Sequence, residues 1–336
     1  MIKASFIKKV FNFKVPSGTS RGILTEKHAW FLSIWDQESH EIIGVGECSI
    51  IPGLSPDFVS FENYEQQLSE LCDDISLDLT NWPSLKFGLE MALLDLKNQG
   101  NQVYFQNDFH KGELKIPING LIWMGSEEFM QTQIDEKIAT GFKTIKMKIG
   151  SIDFETEFKL LSRIRERYPS EELTLRVDAN GSFSIDEALQ KLTKLASLDI
   201  HSIEQPIAAG QLKKMRELCS LSPLKIALDE ELIGINSIAS KINLLDTIKP
   251  SFIILKPSLH GGFSGCEEWI SLAEERNIAW WITSALESNI GLNAICQFTS
   301  EYNNYLPQGL GTGSLYIDNI PSDLSVENGF IFLKKD

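Results

Sequence analysis

Asp178, Glu204, Asp229 and Lys256 stand 26, 25 and 27 residues apart, and each closes a short apolar run: Leu175-Arg176-Val177-Asp178, His201-Ser202-Ile203-Glu204, Ala227-Leu228-Asp229 and Ile253-Ile254-Leu255-Lys256. That interval is the length of one strand, one helix and two short loops. If the runs are successive parallel strands of a (β/α) barrel, the four side chains meet at its C-terminal mouth, where such barrels place their chemistry. Three carboxylates and a lysine in one mouth describe a metal site with a base beside it.

The chain can bury a core large enough for a barrel plus a second domain, with 336 residues of which 43% are hydrophobic. A net charge of −15, from 46 acidic and 31 basic residues, argues against nucleic acid or an anionic membrane surface as partner. The five cysteines (Cys48, Cys72, Cys219, Cys266, Cys296) show no Cys-X-X-Cys spacing, which speaks against a disulfide framework or structural zinc and for a reducing cytoplasm. Lys3, Lys8, Lys9 and Lys14 interrupt the apolar residues of the N-terminus, so neither a signal peptide nor a membrane span is expected. A soluble protein acting on a small molecule fits these facts; nothing in them bears on oligomeric state.

Runs such as Ala4–Ile7 and Ala29–Trp35, with a turn near Asp36–Ser39, read as antiparallel strands, and Phe61–Leu71 and Ser84–Leu96 have helical spacing. Residues 1–100 are therefore expected to form an α+β domain that ends near Asn98-Gln99-Gly100. From there to residue 313, strand-like runs near 116–122, 143–148, 173–178, 200–204, 225–229, 251–256 and 278–283 alternate with helices over about 152–168, 184–197, 210–220, 236–243, 262–276 and 289–300. An eighth strand is expected around Leu306–Leu310, and the segment 314–336 is expected to return to the first domain.

Lys146 and Lys148 lie two apart, so on a strand they share a face while Ile145, Met147 and Ile149 take the other. Two ammonium groups in one pocket, with a divalent cation nearby, each disfavour protonation of the other, which can bring a lysine from about 10.4 toward neutrality and make it a general base. A solvated edge strand is the bland alternative. Asp178, Glu204 and Asp229 offer only oxygen ligands, which suits Mg²⁺ better than zinc. Helix capping is their alternative role, since Asp178-Ala179-Asn180-Gly181-Ser182 and Asp229-Glu230-Glu231 look like helix entries.

Lys256, two strands beyond Glu204, should face the Lys146/Lys148 pair across the mouth. Bases on opposite faces of a metal-bound carboxylate suit proton removal next to a carboxylate, with the cation stabilising the enediolate. Arg176 precedes Asp178 by two and could pair with a substrate carboxylate or only neutralise the acidic cluster. The Thr283-Ser284 corner and the Gly309-Leu310-Gly311-Thr312-Gly313 run could offer Ser284 and backbone N–H groups such as that of Gly311 to an anion. Gly53-Leu54-Ser55 and Ser20-Arg21-Gly22 are candidate lids, and His260 is expected at the surface or behind the site.

The set Lys146-X-Lys148, Asp178-Ala179-Asn180, Glu204-Gln205-Pro206, Asp229-Glu230 and Lys256-Pro257 resembles the muconate-lactonizing-enzyme subgroup of the enolase superfamily over essentially the whole chain. The resemblance implies an α+β cap on a modified TIM barrel, (β/α)₇β, with Asp178, Glu204 and Asp229 on Mg²⁺, Lys148 as base, Lys146 tuning it and Lys256 opposite. Within the subgroup, Trp280-Trp281-Ile282-Thr283-Ser284-Ala285-Leu286-Glu287-Ser288-Asn289 and Leu310–Gly313 look like the o-succinylbenzoate synthases of menaquinone biosynthesis, whose substrate is a small carboxylate. By that likeness Lys148 removes a proton and then helps hydroxide leave, while Lys256 stays charged. Dipeptide epimerases and N-acylamino acid racemases are the closest alternative. A dipeptide epimerase is expected to carry an Asp-X-Asp pair where this chain reads Leu310-Gly311-Thr312-Gly313. A non-catalytic barrel is the alternative of another class, and five retained charged residues speak against it.

Overall fold

Strict alternation along three long strands explains how the first domain holds two partners at once. In this computed structural model, which describes residues 2–19 and 22–335, the chain opens with β1 (Ile2–Thr19), β2 (Gly22–Asp36) and β3 (Ser39–Ile50), an antiparallel sheet in that order. Trp30, Leu32 and Ile34 turn to one face, where with Cys48 and Ile50 they meet Tyr64, Leu68, Leu85 and Leu89 of helices α1 (Phe61–Asp73) and α2 (Pro83–Lys97). The intervening Ala29 and Phe31 turn to the other face and join the core shared with the barrel. Ser60 caps α1 by accepting from Asn63 N. Helix α2 lies directly on the β3 backbone: a Cβ on Gly46 would come within 1.8 Å of the Gly88 carbonyl oxygen, and one on Gly88 within 2.2 Å of Cys48 Sγ.

The barrel is a seven-stranded parallel sheet made of β5 (Gly120–Ile122), β6 (Thr144–Lys148), β7 (Thr174–Asp178), β8 (Ser202–Glu204), β9 (Ile226–Leu228), β10 (Phe252–Leu255) and β11 (Ala279–Ile282), adjacent in chain order. Helices α3 (Glu127–Ala139), α4 (Phe154–Arg167), α5 (Ile185–Ala196), α6 (Leu212–Leu221), α7 (Ile238–Ile248), α8 (Gly262–Glu274) and α9 (Asn289–Thr299) alternate with the strands. The expected eighth strand shrinks to two residues. Gln308 bridges in parallel to Ile118 and Gly309 to Thr283, with Gln308 N donating to the Pro117 carbonyl (2.8 Å) and Gly309 N to that of Ile282 (2.8 Å), which closes the ring. The fold is a capped, modified (β/α)₇β barrel.

Two expectations need adjustment. The run near 116–122 is not one strand: β4 (Ile116–Pro117) pairs antiparallel with the C-terminal hairpin of β12 (Leu324–Glu327) and β13 (Phe330–Leu333), and only β5 enters the barrel. The tail divides accordingly. Residues 315–317 run along β1, with Lys14 N donating to the Leu315 carbonyl and Ile317 N to that of Asn12, whereas the final hairpin lies on β4.

Candidate active site

Inward-facing residues of the parallel strands build the mouth row by row. Register places Lys146 opposite Arg176 and Arg176 opposite Ser202; one pleat further toward the mouth, Lys148 lies opposite Asp178 and Asp178 opposite Glu204. Asp229 directly follows β9 and opens a 3₁₀ turn, Glu230–Leu232. Gln205, completely buried, fixes that corner: its Oε1 accepts from Asp229 N and Glu231 N, and its Nε2 donates to the Ile207 carbonyl. The capping alternative therefore describes the backbone of Asp229 but not its carboxylate, which faces the cavity.

Asp178, Glu204 and Asp229 are almost fully buried, and each is met by a lysine. Lys146 Nζ lies between Glu204 Oε2 (2.6 Å) and Asp178 Oδ2 (2.9 Å); Lys148 Nζ donates to Asp178 Oδ2 (3.0 Å) and Asn180 Oδ1 (2.7 Å); Lys256 Nζ binds both oxygens of Asp229, Oδ1 at 2.6 Å. Burial opposes charge on Asp178, Asp229, Lys146 and Lys256. The lysines nonetheless hold Asp178 and Asp229 below the ordinary carboxylate range, and the carboxylates hold Lys146 and Lys256 above that of a lysine. The lowering expected from two neighbouring ammonium groups is thus outweighed at Lys146 by its two anionic partners.

Glu204 is the exception. Burial, and then the charges of Asp178 and Asp229, push its carboxyl well above the usual range, and its Oε1 is buried with no partner among the described residues. Asp229 in turn is held down, against its burial, chiefly by the Lys256 ammonium group. A buried oxygen without a partner, set between two further acids, marks a place for positive charge. Among the described residues no trio of ligands stands open for an ion, because the lysines already span the carboxylates. The donor set, three carboxylates with no imidazole or thiol, fits a hard divalent cation.

These groups line one cavity of about 190 Å³ between barrel and cap. Its polar floor includes Lys146, Lys148, Asp178, Glu204, Asp229 and Lys256; Leu121, Trp123 and Leu286 from the barrel and Leu24, Ile51 and Leu54 from the cap supply apolar wall. Ser284 and Gly311 also line it, and Ser284 Oγ lies 2.6 Å from Thr312 Oγ1. The candidate lids meet the site through Leu54 and Gly22, while Ser20 and Arg21 lie outside the described residues.

Arg176 is not brought to the cavity. One pleat below Asp178, it is 1% exposed, donates from Nη1 to the Pro307 carbonyl (2.7 Å) and stacks its guanidinium over Trp281 at 4.1 Å. Its charge acts on Glu204 from beneath, the second of the two roles open to it in the sequence. His260 is not at the surface: it is 5% exposed behind the site, where its Nδ1 accepts from Lys256 N at 2.9 Å. Sequence reasoning passed over Asn180 and Glu230 as site residues. Asn180 accepts from Lys148 and donates to Glu230 Oε1 (3.0 Å), and the only prior signal for either was its place in the Asp178-Ala179-Asn180 and Asp229-Glu230 strings.

Residues 130–336 match the family model described as enolase C-terminal domain-like. The o-succinylbenzoate synthase of Desulfotalea psychrophila is 46% identical, with 98% of each chain covered. A crystal structure of MenC from Desulfotalea psychrophila superposes with a TM-score of 0.88 at 42% identity over 99% of each chain. The L-Ala-D/L-Glu epimerase of Bacillus subtilis is 28% identical over 69% of this chain and 63% of its own. Its substrate-liganded structure gives a TM-score of 0.84 at 19% identity over 99% and 96% of the two chains, a likeness of fold alone. No described helix is long and apolar enough to cross a membrane.

Proposed function

The chain belongs to the o-succinylbenzoate synthase family of the enolase superfamily, and from that premise we propose how its barrel mouth dehydrates 2-succinyl-6-hydroxy-2,4-cyclohexadiene-1-carboxylate to 2-succinylbenzoate, a step of menaquinone biosynthesis. The supporting observation is that Lys148 and Lys256, bound to different carboxylates, end in the same cavity as Asp178, Glu204 and Asp229.

Asp178, Glu204 and Asp229 would hold a magnesium ion, which when bound would supply positive charge against the negative charge that develops on the substrate carboxylate. Lys148, as the neutral amine, takes the ring proton next to the carboxylate, and the electron pair moves into that carboxylate. The pair then returns to form the new ring double bond as the carbon–oxygen bond of the hydroxyl breaks. Lys148 gives its proton to the departing oxygen, so one water leaves and the lysine is reset. Asn180, held by Glu230, steers the Lys148 Nζ through this cycle. Lys146, held between Glu204 and Asp178, keeps a positive charge beside Lys148. Lys256 remains protonated, consistent with its raised pKa, and stabilises the ring anion from the other face.

Epimerisation of a dipeptide or N-acylamino acid would use the same two lysines, one on each face. The wall at Gly309, Gly311 and Thr312, however, carries no carboxylate for a substrate ammonium group. The test is to follow diene absorbance after mixing protein, substrate and Mg²⁺, with an EDTA control. Rapid loss that EDTA abolishes is expected. No loss despite a Mg²⁺-dependent rise in thermal stability would overturn the reading and direct attention to α-proton exchange of dipeptides in D₂O.

A further inference from the structure

Alternate residues of one barrel edge, Asn119, Leu121 and Trp123, all line the cavity. Leu121 and Trp123 are apolar there, and Asn119 is the polar member of the row. Its position is fixed by backbone: Asn119 N donates to the Gln308 carbonyl (3.0 Å), one of the contacts that closes the ring, beside the bridge from Ile118 to Gln308. The side chain is 5% exposed, and its Oδ1 is buried with no hydrogen-bond partner among the described residues. An amide oxygen in that state carries an unmet desolvation cost, which a ligand donor in the cavity removes. None of the roles assigned above to the lysines and carboxylates employs it.

The substrate of the proposed reaction has one O–H donor at neutral pH, the ring hydroxyl that departs; its other polar groups, a ketone and two carboxylates, only accept. We infer that Asn119 is a specificity-determining residue whose Oδ1 accepts a hydrogen bond from that hydroxyl. This rests on the reading under Proposed function and deepens it. The contact leaves a lone pair of the hydroxyl oxygen open to the proton from Lys148, and the water that forms retains an O–H for Asn119 as the carbon–oxygen bond breaks. The aromatic product has no hydroxyl. The site then holds an unmet acceptor against the product, so Asn119 discriminates substrate from product and favours product release. A site built to bind a hydroxyl rejects the same molecule lacking it far more strongly than an apolar site does.

The test compares binding of both compounds in the presence of Mg²⁺. Substrate is titrated into Lys148→Ala, which binds without turning over, with and without Asn119→Leu; 2-succinylbenzoate is titrated into the same two proteins. Asn119→Leu is expected to weaken substrate binding by about tenfold or more and to leave product binding within about twofold or tighten it. Equal weakening of both, or of neither, overturns the inference. Thermal unfolding of each protein with and without Mg²⁺ shows whether the variant folds; if it does not, Asn119→Ala, smaller and likewise without a side-chain acceptor, takes its place against the same two outcomes. Turnover by the parent protein is measured alongside: its absence refutes the proposed function, whereas turnover with no substrate-selective effect refutes only the role of Asn119.

Discussion

Glu47 is a fully buried carboxylate that reaches from β3 of the cap to the start of barrel helix α9. It accepts from Ser288 N (2.9 Å), Ser288 Oγ (2.6 Å) and Gly291 N (2.9 Å), and so satisfies N–H groups that the first turn of a helix leaves without partners. Burial pushes its carboxyl up, and the Ser288 and Gly291 donors pull it back. Glu47→Ala removes all three bonds and strands two buried N–H groups at about 1–3 kcal/mol each. Relief of the desolvation of the carboxylate offsets part of this, leaving a net loss of about 3–5 kcal/mol. At about 2–4 °C per kcal/mol, the thermal midpoint should fall by about 6–20 °C. Glu47→Gln, which keeps an acceptor oxygen, should lose less than half as much. The same loop carries the cavity residues Thr283, Ser284, Ala285 and Leu286, and is tied further by Lys27 Nζ to the Ala285 carbonyl (2.8 Å) and by Tyr316 to that of Leu286. Glu47→Ala should therefore also raise KM. Calorimetry and initial rates on the three proteins decide the matter. A midpoint for Glu47→Ala within about 2 °C of the parent would show that the cap does not hold this helix through its carboxylate.

Three further outcomes are expected. Asp178→Asn leaves Lys146 and Lys148 without the anion they share, so thermal stability should fall and the rise produced by Mg²⁺ should shrink; a full Mg²⁺ response in the variant would remove Asp178 from the ligand set. His201 is held neutral to about pH 4 by burial and by Arg176 and Lys225, against 6.5 when free, so the unfolded chain binds the extra proton in that window. Stability should thus drop as pH falls from 6.5 toward 4, and the slope should flatten in His201→Phe; identical pH profiles would contradict the assignment. In Gly150→Ala the new Cβ would fall 1.9 Å from Ser182 Oγ at a residue with φ of 94°, so the loop after Lys148 must shift and kcat should drop sharply, which rates within about threefold of the parent would refute.

Regular spacing made the barrel legible, because one β/α unit has a nearly fixed length and the strands from β6 to β10 each end at, or are directly followed by, a charged residue. What escaped the sequence has local causes. Helix α3 was not foreseen because only Met130 and Ile134 of its thirteen residues are buried, too narrow an apolar stripe to stand out. The eighth strand was placed correctly near 306–310 but amounts to Gln308 and Gly309, since side-chain bonds such as Gln308 Oε1 to Ile282 N take over from ladder pairing. For Arg176, period-two alternation gave the right face and not the depth: one pleat of about 7 Å separates a mouth residue from one packed on Trp281. Asn119 lacked any motif, and its interest emerges only when the apolar row around it and its unmatched oxygen are seen together.

The central claim is that Lys148 moves the proton. Lys148→Ala, with Mg²⁺ present, should still bind 2-succinylbenzoate with an affinity close to that of the parent, while its rate of diene loss falls by a factor of at least about 10³. Diene loss in that variant within about tenfold of the parent, at matched Mg²⁺ and with intact folding, would contradict the account.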